Sequence, residues 1–376
     1  MAIADAAGRL LAENVSAKTS QPPEAVSSMD GYAVRAADVL EAGARLKIVG
    51  SAPAGHPFSG TFKTGETVRI FTGGVMPDGA DSVIIQEDAR ADGDYVTFNT
   101  RAVSGRHIRP AGLDFRRDEP LIAAGRRLTA RDVSLLAAAD IDDVPVRRRP
   151  SVAFAATGDE LVRPGEARRK GQTIASSGYG LAALIKRWGA EPRDLGILPD
   201  NADAIAGIAN AATGADLILT IGGASVGDHD LVQSALGREG FALDFWKIAM
   251  RPGKPLIFGK LRATPLIGLP GNPVSTLVCA ILFVRPAIEA LLGVAANQPL
   301  ANARAASAIK ANDGRQDYLR ATCTLHDGEL WAEPFAVQDS AMLGTLARAD
   351  GLIVRKPHDP AVATGERIAV LMLGDC

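Results

Sequence analysis

The sequence predicts a multidomain protein of mixed α/β and β class, and three observations lead there. Its 376 residues exceed what a single core organises, roughly 250 to 300 residues. From Ser151 onward, apolar strand-like runs alternate with helical stretches, the pattern of a parallel sheet with crossover helices. On either side of that region, short runs of β-branched and aromatic residues stand between Gly, Pro and Asp, as β domains require.

Taken in order, Ile3, Ala7, Leu10 and Leu11 recur at helical spacing, which predicts an opening amphipathic helix that stops before Gln21-Pro22-Pro23. A second helix is expected over Ala130–Ala139. If the two pack together, residues 1–23 and 120–148 form a small discontinuous helical domain, and 24–119 form an inserted β domain. Strands are expected there at Thr67–Phe71, Ser82–Gln86 and Tyr95–Phe98. An α/β domain follows over 149–298, with strands at Ser151–Thr157, Glu191–Leu198 and Asp216–Ile221 and helices at Gly178–Trp188 and Asn201–Ala212. Further strands at Phe241–Lys247, Leu256–Phe258 and Pro265–Leu269 precede a helix over Val274–Leu292. Residues 299–376 turn β-rich again, at Tyr318–Leu325, Glu329–Glu333, Gly351–Val354 and Arg367–Met372.

Composition excludes several classes of function. The net charge of −2 gives no basic field for nucleic acid. The apolar stretch Leu277–Ala296 is broken by Arg285, Pro286 and Glu289, which argues for a buried helix and against a membrane span. Asp5, Arg9 and Glu13 leave no uncharged leader, so the chain is expected in the cytoplasm. Cys279, Cys323 and Cys376 lie far apart and outside any CxxC or zinc spacing, so neither disulfides nor structural zinc are expected.

Ligands of open parallel sheets bind beyond the carboxyl ends of the strands, and three loops leave such ends here. Ala156-Thr157-Gly158-Asp159-Glu160 offers a hydroxyl and two carboxylates. Gly222-Gly223-Ala224-Ser225-Val226-Gly227-Asp228-His229-Asp230 combines glycines, whose amides suit an oxyanion, with carboxylates that suit Mg²⁺ beside phosphate. Leu269-Pro270-Gly271-Asn272-Pro273-Val274-Ser275 enters a helix with Pro at its start. Neither a Walker A loop nor GxGxxG is present, which disfavours a P-loop NTPase or a Rossmann dehydrogenase. Lys247, Arg251 and Lys254 sit in FWKIAMRPGKP, where Pro and Gly shape a loop whose cations fit a phosphate-rich ligand. Asp200 lies between a strand and a helix, where Asp is most often an N-cap.

These loops, with SSMDGYAVR from Ser27, RIFTGG from Arg69, TGDEL from Thr157 and GLPGNPVS from Gly268, stand in one order along the chain. In that order they resemble the molybdopterin molybdenumtransferases, the bacterial MoeA proteins and the gephyrin E domain. The resemblance spans nearly the whole chain and weakens after Pro299. It implies a molybdopterin-binding α/β domain, a C-terminal β-barrel-like domain and a homodimer whose cleft draws on both subunits. It also implies that the substrates are adenylyl-molybdopterin and molybdate, and that molybdenum is inserted with release of AMP and help from Mg²⁺.

By the same resemblance the acting residues are Asp30, Thr72, Asp114, Glu160, Asp200, Asp230, Lys247 and Arg251. Gly222, Gly223, Ser225, Gly227, Lys254, Pro270, Gly271, Asn272, Arg109, Arg315 and Ser340 would bind the cofactor, and Asp228 and Asp230 would hold Mg²⁺. A molybdopterin adenylyltransferase and molybdoenzyme acceptors are the implied partners. The chain departs from the family in two places. Ser176-Ser177-Gly178 replaces a commoner Asp-Ser/Thr-Asn, and Arg251 replaces a commoner lysine. A molybdopterin adenylyltransferase, or a cofactor carrier without turnover, are the alternative readings.

Overall fold

The computed structural model describes residues 1–223, 235–295 and 298–374. They form two compact units, Met1–Arg147 and Arg148–Cys376.

In the first unit a six-stranded sheet runs in the order Ser82–Ile85, Gly31–Val34, Glu66–Ile70, Arg45–Ala52, Tyr95–Phe98, Ala89–Asp92. All its pairings are antiparallel except that of Arg45–Ala52 with Glu66–Ile70. Side chains alternate across a strand, and both faces are covered. Tyr32 and Val34 join Leu46, Val96 and Phe98 on one side, while Ala33 joins Val68, Ile70 and Val83 on the other. The three strands expected in this region are present, each within a residue of its predicted bounds. Five further strands, among them Gly31–Val34 and Arg45–Ala52, were hidden by glycine and charge.

The opening helix is not there. Ile3–Asp5 makes a single 3-10 turn, and Leu10 and Leu11 then bridge Arg127 and Val146. Gly8 is the cause: it takes φ +76 and gives its N–H to Leu128 O, which turns the chain out of a helical path. The segment around it is therefore more β-bridged than helical. Its core still unites Ala6, Leu11 and Ala17 with Leu128, Leu136 and Ala139. Helix Ala130–Ala138 starts on a capping box, in which Thr129 Oγ1 accepts from Asp132 N and the Asp132 carboxylate accepts from Thr129 N at 2.8 Å.

In the second unit a six-stranded sheet has the order Glu191–Leu198, Ser151–Thr157, Leu217–Ile221, Thr264–Leu269, Ile257–Leu261, Phe241–Trp246. The first four strands are parallel, as the alternation predicts; Ile257–Leu261 is antiparallel to its neighbours. Helix Ala202–Ala211 covers the face bearing Ala153, Ala155 and Ile218. Helix Ser177–Arg187 lies on the opposite, Phe154 side, where a Cβ on Gly178 would come within 3.3 Å of Phe154 Cε2. The chain goes from Ser151–Thr157 to one neighbouring strand and then to the other, so the sheet reverses its winding between Ser151–Thr157 and Leu217–Ile221. That is its topological switch point.

Pro273–Leu291 is one long apolar helix with Val274, Val278, Ile281, Val284 and Ile288 buried. Within it Ala280–Val284 winds as a π turn. Pro286 has no N–H to give to the Leu282 carbonyl four residues back, and its ring crowds that carbonyl.

The C-terminal strands close into a five-stranded barrel. Gln316–His326 pairs with Glu329–Pro334 and Gly351–Arg355, and Leu300–Ala305 with Arg367–Met372 completes the ring. Its interior holds Ala303, Ala321, Ala332, Ile353 and Val370. The two-residue strand Met250–Arg251 adds in parallel to Gln316–Asp317 and ties the barrel to the cationic loop.

Candidate active site

Register brings the loops together. Ala156 pairs with Ile221, and Ile221 with Leu269, so three neighbouring strands end at one level. Beyond them, at the switch point, opens a cleft of ≈ 1110 Å³. It is lined by Glu160, Asp200, Gly222, Gly223, Lys247, Arg251, Lys254, Pro270, Gly271, Asn272, Arg315 and Ser340, all expected as site residues. Ser225, Gly227, Asp228 and Asp230 lie outside the described residues.

Close approach of backbone demands glycine at position 222. Gly222 has φ +90, and a Cβ there would stand 2.8 Å from Thr157 O and 3.1 Å from Thr157 Oγ1. Gly158 carries the Glu160 carboxylate over its Cα, with less than 3 Å left for a Cβ. Beneath Gly222, Thr157 Oγ1 is buried with no hydrogen-bond partner among the described residues. Asp200 is not the helix cap expected of it: Asn201 caps Ala202–Ala211 by accepting from Ala204 N at 2.9 Å. Asp200 instead gives its N–H to Asp159 Oδ1 at 3.2 Å and joins Glu160 on the carboxylate side of the cleft. Asn272 does not use its side chain as a cap either; its Nδ2 donates to Ser340 Oγ at 3.0 Å, and Val274 N donates to Ser340 O at 3.1 Å.

On the cationic side, Lys247 takes φ +72, a left-handed conformation unusual for a side chain of its length. Its Nζ stands 3.5 Å from the centre of the Trp246 ring, a cation–π contact. Neither Lys247 nor Lys254 pairs with a carboxylate among the described residues. Arg251 does: its Nε donates to Asp317 Oδ1 at 2.9 Å, its Nη2 donates to Asp317 Oδ2, and its Nη1 reaches Asp313 Oδ2 at 3.5 Å. Asp313 also accepts from Arg315 Nη2 at 2.9 Å, and the Arg315 guanidinium and backbone N–H hold its carboxyl down at about 2.

In the first unit, Asp30 and Thr72 come together. Asp30 Oδ1 accepts from Thr72 N and Thr72 Oγ1, both at 2.8 Å, and these two bonds, the backbone one first, lower the carboxyl pKa. Gly31 is fixed by packing, since a Cβ would sit 2.0 Å from Ile84 O. Arg109, in a short strand against Val26-Ser27, and Asp114, whose N–H donates to Gln21 O, are exposed; no hydrogen bond joins them to the Asp30–Thr72 pair among the described residues.

The sequence reading missed Asp313 and Asp317, which hold the arginines, and Arg320. Arg320 is 1% exposed and donates to Gln338 Oε1 and to Asp339 O beside Ser340. The available signal was two aspartates and two arginines inside the strand-like run DGRQDYLR.

Known proteins agree with this architecture. Residues 1–139 match the family model described as MoeA N-terminal region (domain I and II), 153–290 match "Probable molybdopterin binding domain", and 302–373 match MoeA C-terminal region (domain IV). The chain belongs to the MoeA family of molybdopterin molybdenumtransferases. Curated relatives named molybdopterin molybdenumtransferase include one from Nostoc sp., 36% identical over 97% of this chain and 86% of its own. Another, from Haemophilus influenzae, is 34% identical over 97% of this chain and 91% of its own. A crystal structure of a molybdopterin biosynthesis MoeA protein from Pyrococcus horikosii superposes with a TM-score of 0.86 at 30% identity, covering 99% of this chain and 93% of that one. As a MoeA-family transferase the chain has a role in molybdenum cofactor biosynthesis. Matches on both sides of the α/β region do not favour the adenylyltransferase and carrier readings.

Proposed function

We propose that this protein inserts molybdenum from molybdate into adenylyl-molybdopterin and releases AMP. The observation that carries the reading is the cleft at the switch point, with the carboxylates of Glu160 and Asp200 on one side and Lys247 and Lys254 on another. Phosphates bind against the glycine loop and the two lysines, whose ammonium groups offset the charge of the pyrophosphate linkage. Charge stabilisation of this kind carries much of the rate in phosphoryl chemistry. Water attacks the phosphoanhydride so that AMP leaves, and the two dithiolene sulfurs displace two molybdate oxygens, which depart as water, so that molybdenum stays on the dithiolene. Ser340, steered by Asn272, and Arg315 complete the oxyanion contacts.

Mg²⁺ fits the donor chemistry, since exposed carboxylates without Cys or His suit a hard cation. Among the described residues no group of three metal-ligating side chains forms. Glu160 and Asp200 would hold the ion, with Asp228 and Asp230 as further donors. Bound there, it would neutralise phosphate charge. A homodimer in which Asp30, Thr72, Asp114 and Arg109 of a second subunit face the cleft, working in the cytoplasm between a molybdopterin adenylyltransferase and molybdoenzyme acceptors, belongs to the same proposal. The test is AMP release from adenylyl-molybdopterin with Mg²⁺, with and without molybdate: molybdate-dependent release is expected, and bound substrate without release would refute the proposal.

A further inference from the structure

The cationic loop carries three charges into the cleft, but one of them is already spent. All three nitrogens of the Arg251 guanidinium face carboxylates, Asp317 across Nε and Nη2 and Asp313 at Nη1. The Asp317 side chain is 5% exposed, so this is the fork-to-fork pair that only an arginine can make. We propose that Asp317 is a positioning residue: it clips Arg251, and thereby fixes the 247–255 loop so that Lys247 and Lys254 meet the anionic part of the substrate. The proposal rests on the function given above.

The loop is built to transmit such a clip. Lys247 N donates to Leu256 O at 3.1 Å and Ile248 N to Lys254 O at 3.0 Å, which sets the two lysines on facing sides of one closed turn. Gln316 N donates to Ala249 O at 2.9 Å, next to the clip, and Met250 beside Arg251 is buried. At the far side, Gly253 packs so tightly on Cys279 that a Cβ would come to 2.4 Å from its Sγ. With both ends anchored, Lys247 is held in a left-handed conformation it would otherwise leave. Arg251 is thus a strut whose charge is met within the protein, and the two lysines are the cations of this loop left without a carboxylate among the described residues.

Two roles for Arg251 make opposite predictions. If Arg251 were itself a phosphate ligand, removing Asp317 would free its guanidinium and tighten anion binding. If Asp317 is the clip, the same change loosens the loop and weakens binding even though a negative charge has been lost. The experiment titrates inorganic pyrophosphate into the full-length protein calorimetrically, beside KM and kcat for AMP release. Asp317→Asn is expected to weaken pyrophosphate binding and raise KM on the order of tenfold, with a smaller change in kcat. Asp317→Glu should restore most of it, Arg251→Gln should match Asp317→Asn, and the double variant should be no worse than either single one.

Should Asp317→Asn fail to fold, Arg251→Lys decides: it keeps the charge but cannot span both carboxylate oxygens, so weakened binding supports the clip and wild-type affinity overturns it. Pyrophosphate binding that is unchanged or tighter in Asp317→Asn also overturns it. Because the titration needs no turnover, its outcome is independent of whether AMP is released at all.

Discussion

Replacing Gly222 by alanine isolates what the cleft floor costs. The residue sits at φ +90, where a Cβ is opposed by its own backbone, a term of about 1–2 kcal/mol. The new methyl would also stand 2.8 Å from Thr157 O, and relieving that contact means moving backbone, a further ~1–3 kcal/mol. The expected loss is therefore about 2–5 kcal/mol. Two other glycines separate the terms. Gly214 has φ +79 and open space around its Cβ position, so Gly214→Ala should lose only the conformational part, about 1 kcal/mol. Gly271 has no positive φ and its nearest neighbour, Gly222 Cα, is at an ordinary 3.5 Å, so Gly271→Ala should leave stability unchanged. Urea unfolding followed by tryptophan fluorescence is the assay, because Trp188, Trp246 and Trp331 all lie in the Arg148–Cys376 unit. The reasoning fails if Gly222→Ala unfolds like wild type, or if Gly214→Ala loses as much as Gly222→Ala.

Other expectations can be checked one by one. Asp30 should titrate below 3.8 by NMR, the model-peptide value. Thr72→Val, which removes the hydroxyl but keeps the backbone donor, should return it only part of the way. Because that carboxyl is lowered in the folded state, whatever it adds to stability is present above 3.8 and lost as pH falls below it through the folded value; a profile rising toward acid would have the wrong sign. Burial pushes the Cys279 thiol up to about 12, so Ellman's reagent at pH 8 should leave it unmodified until the protein is denatured. Thr129→Ala should cost about 1 kcal/mol by removing half of the capping box, visible as faster amide exchange across Ala130–Ala138 and nowhere in the Arg148–Cys376 unit.

Periodicity made the α/β unit legible at its central strands, Ser151–Thr157 and Leu217–Ile221, which are apolar runs buried almost throughout, whereas the edge strand Glu191–Leu198 has no fully buried residue. It misled at the N-terminus, where Ile3, Ala7, Leu10 and Leu11 have helical spacing but Gly8 turns the backbone to positive φ. The buried set there is Ala6, Leu10 and Leu11. Gly31–Val34 escaped notice because its glycine is required by a neighbouring carbonyl, a cause that no local propensity records. The site was readable as far as single loops carried it, in TGDE, the Gly222-Gly223 turn and GLPGNP. Pairings distant in sequence were not: Arg251 with Asp317 and Asn272 with Ser340 are set by how the barrel meets the sheet, and Arg320 with the Gln338-Asp339 segment by the barrel's own fold. The Asp200 reading failed for a local reason, since the neighbouring Asn201 takes the cap.

The most direct test of the cleft as the place of reaction is a single-turnover measurement of AMP release, with molybdate and Mg²⁺, on the Lys247→Ala/Lys254→Ala variant beside wild type. Both lysines are exposed and pair with no carboxylate among the described residues, so the variant loses only the Lys247–Trp246 contact, about 0.5–1 kcal/mol, and should stay folded. Release should nonetheless fall by at least two orders of magnitude, as loss of positioned charge does in phosphoryl transfer. Release at the wild-type rate from a folded double variant would contradict the assignment of the cleft.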